Sequence, residues 1–271
     1  MKKILALFAA AMLLASTAFA ETKIEVKGST TVLPIMQKLV EAYMKKNPDV
    51  KITVSGGGSG NGVKAIIDGT TDLAMSSRHM KDKEVKLAAD KGVKANPIII
   101  AIDAIIPIVN PANKVKGATI EQLRDIYMGK ITNWKELGGD DESIVVISRD
   151  TSSGTYEAWQ ELVMGKGNRV FPGALLQASS GAVLQAIGKN KKAIGYDGYG
   201  YVNETVKGLE VNGVPGNPGT AAAGKYAISR PLFIITNGEP QGTLKGFVDF
   251  IMDPATGQKI VAEEGAVPVK K

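Results

Sequence analysis

The 271-residue chain contains no cysteine and a single histidine, His79. No disulfide, thiol nucleophile, iron–sulfur cluster or cysteine-ligated zinc can form, and one imidazole leaves little to hold a transition metal. Aromatic residues make up only 6%. Lysine and acidic side chains alternate along the chain, which argues against nucleic acid, whose partners interleave aromatics with a concentrated basic stripe. Beyond the N-terminus, the apolar run Pro97 to Val109 is interrupted by Asp103 and Pro107 and is too short to cross a bilayer. No internal repeat is evident, which excludes solenoids and propellers. What remains is 44% hydrophobic and 22% charged, too apolar to stay disordered and long enough for one large domain or two smaller lobes.

The N-terminus differs from the rest. Lys2 and Lys3 precede an apolar stretch from Ile4 to Leu14, and Ala18-Phe19-Ala20 sets small residues at a peptidase site. Residues 1–20 therefore read as a signal peptide cleaved after Ala20, and no cysteine follows to carry a lipid. The expected product is a soluble periplasmic protein. Losing Lys2 and Lys3 lowers the formal charge from +6 to +4. That balance suits an anionic ligand without naming one.

Strand-like and helix-like segments then alternate. Lys23–Val26, Lys51–Val54, Thr71–Ser76, Pro97–Val109, Ser143–Ser148, Ala193–Gly195 and Tyr226–Thr236 read as strands; Val32–Lys45, Gly62–Asp68, Ile120–Tyr127, Thr155–Met164, Ala182–Lys189 and Leu244–Met252 read as helices. This order predicts an α/β fold with helices covering a largely parallel sheet. The Gly-, Pro- and Asn-rich stretch Gly208–Gly224 reads as a loop or small excursion.

Three strand-to-helix turns carry the chemistry: Gly28-Ser29-Thr30-Thr31, Ser55-Gly56-Gly57-Gly58-Ser59-Gly60, and Arg149-Asp150-Thr151-Ser152-Ser153-Gly154-Thr155. Amides of a helix's first turn point outward, the helix dipole adds partial positive charge, and hydroxyls add donors without adding charge. A tetrahedral oxyanion needs many donors, and Arg149 can grip one in bidentate fashion. Each turn alone is also an ordinary helix cap, so their meeting in space is an expectation. Gly60 to Ala65 matches a dinucleotide-type glycine pattern but lacks the acidic partner downstream, and Gly219 to Lys225 lacks the hydroxyl of a phosphate loop. No GxSxG elbow is present, and His79 is the only imidazole for a serine nucleophile.

Together with Ser76-Ser77-Arg78, the run Ile126 to Trp134, and Ala193-Ile194-Gly195-Tyr196, these turns resemble the phosphate-binding proteins of ABC transporters, members of the periplasmic substrate-binding superfamily. The resemblance implies a type II two-lobed fold with two crossing hinge strands: residues 21–104 with 229–271 form one lobe, 105–228 the other. It implies phosphate as ligand, an inner-membrane ABC permease as partner, a monomer, and no enzyme activity, cofactor, metal or nucleic acid. By position, the ligand set would be Ser29, Thr30, Thr31, Ser59, Ser77, Arg78, Arg149, Ser153, Gly154 and Thr155, with Asp150 orienting Arg149 from behind. Many relatives carry an aspartate where this chain reads Ser77, and that carboxylate accepts the phosphate proton and repels sulfate. Sulfate, molybdate or tungstate therefore stay open as ligands, and a secreted serine-dependent phosphatase or an adhesion module stand as rival classes. Arg78 has a plain alternative in a surface salt bridge.

Overall fold

The computed structural model describes residues 22–269, so the expected signal peptide lies outside the described residues. A 10-stranded sheet runs through the molecule in the order Val50–Ser55, Thr22–Gly28, Leu73–Ser76, Ser229–Asn237, Ala95–Val109, Ala193–Gly198, Val145–Arg149, Leu175–Gln177, with short strands Lys207–Gly208 and Val267–Pro268 also pairing with Ala95–Val109. Thr22–Gly28 is parallel to both its neighbours, and Val145–Arg149 to both of its own, as expected where helices alternate with strands. The two middle strands run antiparallel to the strands around them.

The 15-residue strand Ala95–Val109 changes partner part-way along. Its first part, to Ala104, pairs with Ser229–Asn237; from Ile105 onward it pairs with Ala193–Gly198. Hydrophobic cores separate at the same place. One is built on Ile24, Leu39, Ile100, Leu232 and Phe247, with a further cluster around Val63, Ile66 and Phe233 on the other face of the sheet. The second joins Ile105, Leu123, Tyr127, Trp134, Trp159, Ile187 and Tyr196. The molecule is thus two-lobed, lobe 1 around the first core and lobe 2 around the second, with Asp103 between them.

The amphipathic helix Leu33–Lys46 opens with Pro34 in its first turn, where a missing N–H costs nothing, and buries Ile35, Met36, Leu39, Val40 and Tyr43. Helix Gly154–Trp159 continues as a wider π turn over Gln160–Met164. Trp159 anchors it in lobe 2, stacked on Tyr196 with ring centroids 4.2 Å apart and planes 6° from parallel. Helices Asp82–Asp90, Pro218–Ala222 and Gly257–Glu263 and the strand Leu175–Gln177 are additions to the elements expected from sequence. No helix among the described residues is long and apolar enough to cross a membrane.

Candidate anion-binding site

Arg149, the last residue of its strand, is 1% exposed at the seam between the lobes. Backbone carbonyls aim the guanidinium: Nε donates to Gln177 O at 3.1 Å and Nη2 to Ala178 O at 3.3 Å. Its far edge reaches hydroxyls on both lobes, Nη1 donating to Ser180 Oγ at 3.2 Å and Nη2 to Thr30 Oγ1 at 3.1 Å. Lobe 1 brings Thr30 and Thr31, lobe 2 brings Ser180 and Thr155. The Thr31 and Thr155 hydroxyls share a hydrogen bond of 2.9 Å, and the Thr30 and Ser180 hydroxyls one of 3.3 Å.

Ser59 and Ser77 complete the cluster. The Ser77 amide donates to Ser59 Oγ at 3.0 Å, and the two hydroxyls lie 3.2 Å apart. Gly154 packs onto both: a Cβ added there would come within 2.3 Å of Ser59 Oγ and 2.7 Å of Ser77 Oγ. Ser153 caps its helix by accepting from the Tyr156 amide at 3.2 Å. Ser29 Oγ likewise accepts from the amides of Thr31 and Val32. A hydroxyl whose oxygen accepts from backbone still carries one proton to donate, so Ser29, Ser59 and Ser153 are oriented as donors by their own backbone contacts.

The structure brings together Thr30, Thr31, Ser59, Ser77, Arg149, Gly154 and Thr155, with Ser29 and Ser153 as the caps behind them. Two expected residues are used differently. Arg78, 7% exposed, sets Nη1 and Nη2 on the Glu84 carboxylate at 2.8 Å each, gives a further bond to His79 O, and pairs through Nε with Glu157 at 3.0 Å. Its charge is neutralised outside the hydroxyl cluster. Burial pulls the Glu84 carboxyl upward, but the Arg78 bond and the Lys81 amide outweigh it and hold the group below its ordinary range. Asp150 does not orient Arg149: its Oδ1 accepts from the Ser152 amide at 2.7 Å and the Ser152 hydroxyl at 2.5 Å, closing the turn locally.

The glycine turn also serves a different purpose from the one its sequence suggests. Gly58 has φ 98°, and a Cβ on it would meet Ser152 O at 2.7 Å, while the Gly60 amide donates to that same carbonyl at 2.9 Å. The absent side chains make room for the backbone of the opposite lobe.

Sequence reasoning missed Ser180, Tyr201, Asp103, Arg230 and Asp197. Ser179-Ser180-Gly181 is a fourth strand-to-helix turn, following the short strand Leu175–Gln177. Tyr201 donates across the seam to Thr30 O at 2.6 Å. Arg230 and Asp103, single charges in two otherwise apolar strands, form an ion pair of 3.0 Å with both side chains 4% exposed. Arg230 also donates to Ser77 O at 3.2 Å. Burial pushes the Asp103 carboxyl above its ordinary value, with Arg230 pulling against it. Asp197 is fully buried; burial raises its carboxyl to about 6 against the lowering influence of Arg149, Ser180, Gly198 and Arg230. Among the described residues no group of three or more His, Cys, Asp or Glu side chains could hold a metal ion.

The PBP superfamily domain is matched over residues 15–255. The phosphate-binding protein PstS of Staphylococcus saprophyticus is 37% identical over 242 residues, covering 85% of this chain and 75% of the relative. PstS of Borreliella burgdorferi is 34% identical over 261 residues, covering 92% and 91%. Among solved structures, a phosphate ABC transporter substrate-binding protein of Clostridium perfringens with bound phosphate superposes at TM-score 0.87 and 38% identity, covering 92% of this chain and all of that one. A seam of convergent donors between two lobes, and likeness of this extent in both sequence and structure, give one conclusion: the chain belongs to the PBP superfamily and, within it, to the family of PstS phosphate-binding proteins.

Proposed function

We propose that this protein binds inorganic phosphate between its lobes and hands it to an inner-membrane ABC permease. The observation that carries the reading is the meeting of Arg149 with the hydroxyls of Thr30, Thr31, Ser59, Ser77, Thr155 and Ser180, from both lobes, in one water-poor seam. The relatives' names agree with it. Phosphate takes the place of the contacts these groups make with one another. Arg149 meets two of its oxygens, Thr30, Thr31, Ser59 and Thr155 donate hydroxyl protons, and the Gly154 and Thr155 amides complete the shell. Each charge-assisted bond contributes about 1.5–3 kcal/mol, opposed by dehydration of the anion, so binding becomes favourable once the lobes exclude water.

Residues 22–104 with 229–269 move as one body and 105–228 as the other, pivoting where Ala95–Val109 changes partner and where the Asp103–Arg230 pair lies. Export to the periplasm after cleavage at Ala20, action as a monomer, and binding without catalysis belong to the same proposal. His79, the single imidazole, supports the last point, being exposed with its ring set edge-on to Phe233.

Calorimetric titration at pH 5 and pH 8 with phosphate, sulfate and molybdate tests the assignment. Phosphate is expected to bind most tightly at both; tighter sulfate would make this a binding protein for a different oxyanion.

A further inference from the structure

Two opposite charges face each other where the crossing strands run side by side. Asp103 and Arg230 are register partners, each the single charged residue of its strand. Arg230 donates through Nε and Nη2 to Asp103 Oδ2, at 3.3 and 3.0 Å, which sets the plane of the guanidinium. The remaining donors turn toward lobe 1's share of the hydroxyl cluster: Nη1 donates to Ser77 O at 3.2 Å and Nη2 to Thr31 Oγ1 at 3.4 Å. Behind the pair, Asp103 Oδ1 accepts from the Tyr199 amide of lobe 2 at 3.3 Å. Thr31 is confined from a second side. A Cβ on Gly198 would lie 2.9 Å from both Thr31 Cγ2 and Asp103 Oδ2, so that glycine seats the methyl and the carboxylate together. With its methyl so placed, the β-branched side chain presents its hydroxyl to Thr155 and to Arg230.

A buried ion pair adds little net stability over apolar side chains of the same volume. What this one supplies is direction. An oxygen that accepts from a guanidinium keeps its own proton to give, and successive hydrogen bonds polarise one another. Resting on the phosphate reading above, we propose that Arg230, held by Asp103, is a positioning residue of the anion site: it occupies the Thr31 oxygen as an acceptor and so commits the Thr31 proton to the enclosed anion. The same guanidinium holds Ser77 by its carbonyl, the residue whose amide orients Ser59. Two contacts of lobe 1 thereby lean on one side chain. Arg149 acts on Arg230 as a like charge, a repulsion that an anion in the seam relieves. Lysine is no substitute here. Its ammonium is a point and not a fork, so it serves Asp103 or Thr31 but not both in one geometry.

The test is a double-mutant cycle in phosphate affinity, read by calorimetry with sodium phosphate on the wild type, Arg230→Lys, Thr31→Val and the double variant. Arg230→Lys alone is expected to lose about tenfold in affinity, and less than about threefold once Thr31→Val has removed the hydroxyl it acts through. A merely structural role for Arg230 would cost the same in both backgrounds, so losses that agree within about twofold overturn the proposal. So does Arg230→Lys binding phosphate as the wild type does. Should Arg230→Lys fail to fold, Asp103→Asn, which keeps the shape of the pair and loosens its hold on the guanidinium, takes its place in the cycle with the same two outcomes. In either case Thr31→Val is expected to bind phosphate about tenfold more weakly than the wild type, and undiminished affinity in it overturns the proposal without touching the phosphate reading. Failure of the wild type to bind phosphate would instead remove that reading.

Discussion

Glu157→Gln is a perturbation whose size follows from the geometry. Glu157 stands in lobe 2 and pairs with two cations of lobe 1, Arg78 at 3.0 Å and Lys81 at 2.6 Å. Arg78 keeps the Glu84 carboxylate when the lobes part, because both belong to lobe 1. The substitution therefore weakens the closed form and leaves no orphaned charge in the open one. Side chains of Arg78 and Glu157 are 6% and 19% exposed, so this ion pair, although the Arg78 Nε–H is not aligned for a hydrogen bond, is screened little by solvent and is worth more than a surface pair, about 2 kcal/mol. Lys81, at 39%, adds only a surface pair's fraction, about 0.2–1 kcal/mol. After the desolvation of Glu157 is set against these, about 2 kcal/mol should be lost from closure, which is roughly 30-fold in Kd. Because the pair must break before the ligand leaves, most of the loss should fall on dissociation. Stopped-flow and calorimetric titration with inorganic phosphate would measure both. A Kd within twofold of wild type, or a loss confined to the association rate, would refute the reasoning.

Gly154→Ala forces a methyl carbon to within 2.3 Å of Ser59 Oγ, so the variant should fold, with lobe 2 intact, but fail to close, losing phosphate binding in calorimetry at unchanged far-UV circular dichroism. Arg149→Ala removes four donated bonds in a buried seam and should lower phosphate affinity by about 100-fold or more, whereas Lys64→Ala, whose exposed side chain pairs with Asp68 four residues on, should change it less than about twofold. The ordinary value of Asp197 is 3.8 and the folded value about 6, so between the two the unfolded chain releases a proton that the native one keeps. This group's contribution to stability should therefore fall by about 3 kcal/mol as pH rises through that window and stay level above it. Chemical denaturation without phosphate, taken as the difference between wild type and Asp197→Asn, would show it; a difference independent of pH from 4 to 7 would contradict it.

Alternating strands and helices were legible wherever a buried face imposed a period, as in Leu33–Lys46 with its five buried side chains. Helix Asp82–Asp90 was not, because Ala88 alone is buried and no apolar stripe marks it. Leu175 and Leu176 are exposed on a three-residue edge strand, so nothing announced the strand that makes Ser179-Ser180-Gly181 a fourth turn of the same design. The hydroxyl-rich turns were readable, since strong elements flank each of them. Side-chain destinations were less so. Arg78 adjoins Ser77 in sequence, yet Glu84 lies within reach only because the intervening backbone starts a new helix, and Glu157 only because the lobes meet. Adjacency alone suggests Asp150 as a partner of Arg149, whereas a side chain so short folds back onto its own turn. Asp103 and Arg230 had a signal that could have been used, namely one charge of each sign in two strands otherwise too apolar to carry one.

At Gly60 and Ser152 the lobes are joined main chain to main chain. Such a joint is indifferent to which hydroxyls or cations line the interior, so the opening and shutting motion and the chemistry of what is enclosed can change independently. A library randomised at Thr31, Ser77, Thr155 and Ser180, with residues 56–60 left untouched, should yield proteins that still shut but on other small anions, making this chain a ready starting frame for engineered sensors.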